Sequence, residues 1–295
     1  MRIKVLVDNN TRDALQAEWG LSLLIEYEGH RILLDAGTTG IFADNARTLG
    51  IPVEEIELAV LSHAHYDHAD GLERFFEENK SAKCYIRSCC GEDCFDRKKD
   101  KYIGIKAGLL KTYRDRFVRI EGDYELFPGV TLLPHKTKGL DKLGEKVGMY
   151  RCQDGAWIPD DFSHEQSLVF ETGKGLVICN SCCHGGADNI IEEVKQTFPG
   201  KKVYALIGGL HLYKASDEEV LALAEKMRET GIEKIYTGHC TGERAVELLK
   251  QNESRCSPGG GADRREGSAF GPDLDKKAEM YGGVEQFYTG MEIEI

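Results

Sequence analysis

The stretch Leu61-Ser62-His63-Ala64-His65-Tyr66-Asp67-His68-Ala69-Asp70-Gly71 constrains this chain more than any other. It sets three imidazoles and two carboxylates directly after an apolar run, Leu58-Ala59-Val60-Leu61, that reads as a buried strand. If that strand continues to His65, then His63 and His65 point to the same side, because strand side chains repeat every second residue. Asp70 then suits a helix N-cap, with Glu73 near the third helical position and Leu72, Phe75 and Phe76 forming an apolar stripe. Asp67 and His68 fall in the turn between strand and helix, where they can converge with the two histidines before them. A lone histidine in a polar loop needs no ligand. This density of imidazole nitrogens and carboxylate oxygens suits a metal: zinc first, iron or manganese as alternatives.

The rest of the chain supplies a frame for such a site. Residues 3–7 alternate as a strand, and residues 21–35 read as a hairpin turning at Glu28-Gly29. A helix is expected over 41–49, with Thr39 as its cap and Gly50 just beyond its end. A second hairpin spans residues 167–180, and placing Glu171 on Glu26 needs no gap and sets Asn180 on Asp35. Two similar halves packed sheet to sheet follow from that match. Residues 81–161 have weak periodicity and many charges, and read as part core sheet, part substrate-facing loops. Asn189 and Glu192 can box the start of a helix, and Ser216 and Glu219 form a capping-box pattern for another that ends at Gly231. Residues 234–237 read as a strand, 243–251 as a helix and 284–295 as a closing strand. Three polar clusters thus leave strands at one end: residues 63–68, 182–184 and 238–242. Strand exits of this kind are where sites form in α/β sheets. His239, bracketed by Gly238 and Gly242, is placed to present one side chain from a tight turn.

Composition narrows the partners. With 41% hydrophobic and 30% charged residues the chain suits a folded enzyme, and its net charge of −12 disfavours a nucleic-acid partner. The first residues are charged and strand-like rather than a secretory signal, and no apolar run approaches a membrane span, so a cytoplasmic location and no membrane are expected. The ten cysteines are then expected to be reduced. Cys84, Cys89, Cys90 and Cys94 cluster at a spacing that matches no standard zinc pattern, and read as buried or idle thiols. A small-molecule substrate is the expected partner, with a homo-oligomer left open.

The pattern His63-x-His65-x-Asp67-His68 resembles the signature of the metallo-β-lactamase superfamily. The resemblance implies an α/β fold, a four-layer αββα sandwich, formed as one domain over residues 1–295. A substrate-facing insertion would cover about 89–160 and a Gly-rich loop about 252–283. Residues 37–50, 61–72, 164–168, 182–184, 207–212 and 239–242 are similar to one branch, the dihydropterin ribofuranosylaminobenzene phosphate synthase family. Carried across, His63 and His65 would hold a first divalent metal, and Asp67, His68 and His239 a second. The superfamily adds a further histidine to the first metal, here His164 or His184. It also adds a bridging aspartate, but that position falls near residues 180–182, where Cys182 is the nearest competent ligand. The implied activity is metal-dependent hydrolysis of an ester, lactone, thioester or phosphoester. Asp67 would orient the attacking water or accept its proton, and His211 would contact substrate. Asp35 would either support a ligand histidine from behind or cap its turn. A synthase reaction and a metal-binding protein without turnover are the alternatives. Redox chemistry on this fold replaces a motif histidine by a carboxylate, and His65 is intact.

Overall fold

The computed structural model describes residues 1–12, 14–256 and 283–295, without the side chains of 253–256. The Gly-rich loop expected at about 252–283 lies almost wholly outside the described residues. The architecture is the four-layer αββα sandwich. One seven-stranded sheet runs in the order Glu292–Glu294, Arg2–Val7, Ser22–Tyr27, His30–Leu34, Leu58–Val60, Lys83–Arg87, Phe117–Ile120. The other runs Val284–Gln286, Lys234–Thr237, Val203–Ile207, Gly175–Cys179, Gln166–Thr172, Val130–Pro134, Tyr124–Phe127.

The two hairpins lie in different sheets and share one register. In the first, Leu23 pairs with Leu34 and Tyr27 with His30; in the second, the residues at the same places, Leu168 with Cys179 and Thr172 with Gly175. In each sheet the hairpin's second strand continues into parallel neighbours across helical crossovers. The inner faces meet in one apolar layer that joins Ile25, Ile32 and Val60 to Leu168, Phe170 and Val177. Outside the first sheet, Phe42, Leu72 and Phe75 cover Leu33 and Ala59. Outside the second, Ile190, Val220 and Leu249 cover Ile178 and Leu206. The insertion supplies a third, four-stranded sheet: Ala156–Pro159, Met149–Gln153, Cys94–Asp96, Lys101–Tyr102.

Helix starts and strand ends depart from the sequence expectations at five places. The strand before the histidines ends at Val60, and His65 is held instead by an isolated bridge to Gly104. Asp70 closes a short helix, Tyr66–Ala69, rather than capping the next; its carboxylate accepts the Lys106 backbone N–H at 2.7 Å. Helix Ile41–Thr48 begins at Gly40 in a left-handed conformation, and the Thr39 hydroxyl goes to Glu18. Helix Ala187–Thr197 begins at Gly186, so Asn189 lies inside it and donates to the Gly185 carbonyl. The closing segment is two strands in two sheets, not one. By contrast, the Ser216–Glu219 capping box forms in both directions. The nine described cysteines are all free.

Candidate metal centre

Gly71 sets the docking of the motif. A Cβ there would lie 2.0 Å from the Ala36 carbonyl oxygen, so only glycine lets the short helix Tyr66–Ala69 close on the exit of the first hairpin. The Ala36 N–H donates to the His68 carbonyl at 2.8 Å, and Asp35 is thereby brought against the histidines. Buried Asp35 then fixes two tautomers. His68 Nδ1 donates to Asp35 Oδ2 at 2.8 Å, which turns its Nε2 to His239. The Ser62 hydroxyl donates to the same oxygen at 2.6 Å and accepts from His63 Nδ1 at 2.8 Å, so His63 also presents Nε2. Asp35 also accepts the Ser62 backbone N–H at 2.7 Å, so it supports the histidines and caps the turn at once. His239 follows the same rule: its Nδ1 lies 3.0 Å from Asn9 Oδ1 and its backbone N–H donates to Asp8 at 2.7 Å.

Three of these imidazoles face one another across short distances. The ring centroids of His63, His65 and His184 are 4.6, 4.9 and 4.7 Å apart. The Nε2 atoms of all three are buried without a hydrogen-bond partner. Orphaned buried acceptors are costly unless a cation or a water joins them, and a cation suits three imidazoles turned toward one another. Burial, with neighbouring imidazoles adding to it, holds His63 and His184 well below the ordinary histidine range and pulls His65 down to about 3. Their lone pairs are therefore open at neutral pH. His164 is different. Its Nδ1 accepts the Ala64 N–H at 3.1 Å and its Nε2 faces Asp160 at 3.0 Å, so neither nitrogen has a lone pair left.

The second group is more crowded. His68 Nε2 lies 3.2 Å from His239 Nε2 and 3.2 Å from Cys182 Sγ. Asp67 stands 3.9 Å from His68 and 3.6 Å from His239, held by a 2.7 Å hydrogen bond from the Trp19 indole. Two imidazole lone pairs this close repel unless a proton or a metal lies between them. Burial opposes charge on His68, but Asp67 and Asp35 outweigh it and lift the group to about 9. Burial pulls His239 down to about 3. Cys182 links the groups: its sulfur lies within 4.8 Å of donor atoms of His63 and His184, and of His68 and His239. His65 sits within the same range of Cys94, Asp160 and His164. The sets that include Cys182 fit a transition metal in chemistry and in burial, whereas His164 has no lone pair to offer the set around His65.

Backbone strain collects at the same strand exits. Asp35, Cys183, His211 and His239 all have φ between 47° and 59°. Non-glycine residues held there cost roughly 1–3 kcal/mol each and cluster where geometry serves function. A cavity of about 290 Å³ opens over the centre, lined by Trp19, Tyr66 and Tyr213 and by Lys99 and Lys101, from a turn and a strand of the insertion. His211 faces it beside His184, at a centroid distance of 4.3 Å.

Several supports have no motif signal. Glu165, fully buried, accepts the backbone N–H groups of His184 and Gly185 at 2.9 and 3.1 Å. His135 bridges it to Glu193. Asp8 and Asn9 could have been noted only as polar residues leaving the first strand at the site's end.

Residues 20–147 match the sequence model of the metallo-beta-lactamase superfamily. The 7,8-dihydropterin-6-methyl-4-(beta-D-ribofuranosyl)-aminobenzene-5'-phosphate synthase of Methanocaldococcus jannaschii is 30% identical over 256 residues, 80% of this chain and 85% of that protein. The chain belongs to the metallo-β-lactamase superfamily. Among solved metallo-β-lactamase relatives, Tm1679, called a metal-dependent hydrolase of that superfamily, superposes with a TM-score of 0.76 at 26% identity. The match covers 100% of this chain and 99% of that one. YhfI from Bacillus subtilis shares the fold alone, with a TM-score of 0.54 at 14% identity over 100% and 99% of the two chains. No described helix is long and apolar enough to cross a membrane.

Proposed function

We propose that this metallo-β-lactamase superfamily member is a metal-dependent hydrolase of a small ester-, lactone- or phosphoester-type substrate. The supporting observation is the set of buried, partnerless Nε2 atoms on His63, His65 and His184, beside the paired Nε2 atoms of His68 and His239. In this reading His63, His65 and His184 would hold a first divalent ion, Asp67, His68 and His239 would hold a second, and Cys182 would stand where the superfamily has a carboxylate. His164 holds the loop of Ala64 and is not a ligand. Bound ions of this kind, zinc above all, polarise a substrate oxygen and bring water toward ionisation at neutral pH. Asp67, fixed by the Trp19 indole, orients the attacking water and takes its proton. Lys99 and Lys101 receive an anionic substrate group at the mouth, and the aromatic walls exclude water from the floor. A cytoplasmic location and the absence of a nucleic-acid partner belong to the same reading.

A pterin-pathway synthase is the second reading, favoured by the 30% identity to the Methanocaldococcus jannaschii enzyme. Protein purified without added metal should carry one to two equivalents of transition metal and turn over a generic phosphodiester or lactone. A fully metal-loaded protein inert toward all hydrolytic substrates would remove the hydrolase reading and leave the synthase.

A further inference from the structure

Two glycines let two sulfurs meet at the floor of the cavity. Strand Val203–Ile207 lies between Gly175–Cys179 and Lys234–Thr237, so the loops leaving those outer strands start with a strand between them. The chain beyond Ile207 passes through Gly208 and Gly209. A Cβ on Gly208 would lie 1.8 Å from the Asn180 carbonyl oxygen, and one on Gly209 would lie 2.4 Å from Cys240 Sγ. Without those carbons the loop sinks, and Cys182 Sγ and Cys240 Sγ stand 3.4 Å apart above it. His211 follows in a left-handed conformation that turns its ring toward them. Donor atoms of Cys182, His211 and Cys240 lie within 4.8 Å of one another. His211 Nδ1 is buried and has no hydrogen-bond partner.

We propose that Cys182, Cys240 and His211 form a thiolate-rich position for a soft transition-metal ion such as zinc or ferrous iron. The assignment rests on the metal-centre reading for Cys182 and adds Cys240 and His211 to it, so that His211 serves as a ligand rather than a substrate contact. Soft thiolates select such ions over magnesium or calcium. With metal–sulfur bonds of about 2.3 Å, two thiolates on one tetrahedral ion stand roughly 3.8 Å apart, against about 2.05 Å in a disulfide. The 3.4 Å separation is close to the first value. A packed thiol pair would account for the sulfurs but leave the buried His211 nitrogen without a partner. Binding releases one proton from each thiol to solvent, and the imidazole binds in its neutral form.

Cobalt(II) titration of the metal-free full chain, kept reduced and free of air, tests this through the near-ultraviolet sulfur-to-cobalt charge-transfer band. Cys240→Ser should lose about half of the band, Cys182→Ser a similar share, and the double variant all of it. Cys183→Ser, whose sulfur faces the Asn180 carbonyl instead, should keep the full band. His211→Gln should weaken cobalt binding with the band intensity per bound ion unchanged. An undiminished band in Cys240→Ser overturns the proposal. Cobalt bound with no charge-transfer band overturns it while the histidine centre stands; no cobalt bound at all overturns both. Should Cys240→Ser fail to fold, the wild-type band per ion, compared with a one-thiolate cobalt protein, decides between one thiolate and two.

Discussion

Glu165 carries the loop of His184: each carboxylate oxygen accepts one N–H of that loop, and His135 lies 2.5 Å behind. The histidine that completes the first triad is thus positioned by a buried ion pair and not by its own strand.

That arrangement predicts a pH dependence of stability. Burial disfavours charge on His135, but Glu165 and Glu193 outweigh it and raise the group to about 10. A histidine raised above its unfolded value of ~6.5 gives a stabilisation that is full below that value. It is lost as pH rises through the folded value. Melting temperature should therefore fall between about pH 6.5 and pH 10, and His135→Gln should flatten that slope. The same variant should be destabilised by roughly 3–5 kcal/mol near neutrality, because it leaves two buried carboxylates unpaired. Thermal melts across pH check both.

The histidines divide by their free lone pairs. His184→Ala should lose metal from the first position, as should His63→Ala combined with His65→Ala. His164→Ala should stay loaded but lose about 3 kcal/mol of stability, since it breaks the buried pair with Asp160. Elemental analysis beside chemical denaturation separates the two losses. A metal-free His164→Ala variant that remains folded would reverse the assignment.

Asp35 acts on His63 and His68 together. Asp35→Asn keeps its size but loses the charge that holds both tautomers, and metal affinity should drop ~10–100-fold. Competition with a chromophoric chelator measures this directly.

A distant control calibrates these variants. Ser216→Ala removes the capping hydroxyl of helix Asp217–Glu229 and should cost ~1 kcal/mol. Metal content and turnover should be unchanged.

Much of this was legible in the chain because its signals are local. Both hairpins, their shared register and the Ser216 cap follow from alternation and spacing within a dozen residues. Helix starts at Gly40 and Gly186 escaped because glycines at positive φ, not side-chain caps, open those helices. Asp70 looked like a cap, but the carboxylate found a partner in the insertion, at Lys106. The proposed preference for His184 over His164 rests on contacts that are mostly distant in sequence. Those contacts reach Ala64 and Asp160 for one and Glu165 for the other's backbone, which no local pattern encodes.

The last described segment crosses from one sheet to the other, Val284–Gln286 to Glu292–Glu294. On the way, Thr289 Oγ1 accepts the Asp8 N–H at 2.8 Å, and Asp8 in turn holds the backbone of His239. The Phe287 ring fills the space against Gly238. In mechanical terms this segment is a tie-rod between the sheets, and it braces the turn that presents His239. Slackening it, by trimming residues 287–295, would free the backbone of His239 first, while Asp35 keeps its hold on His63 and His68.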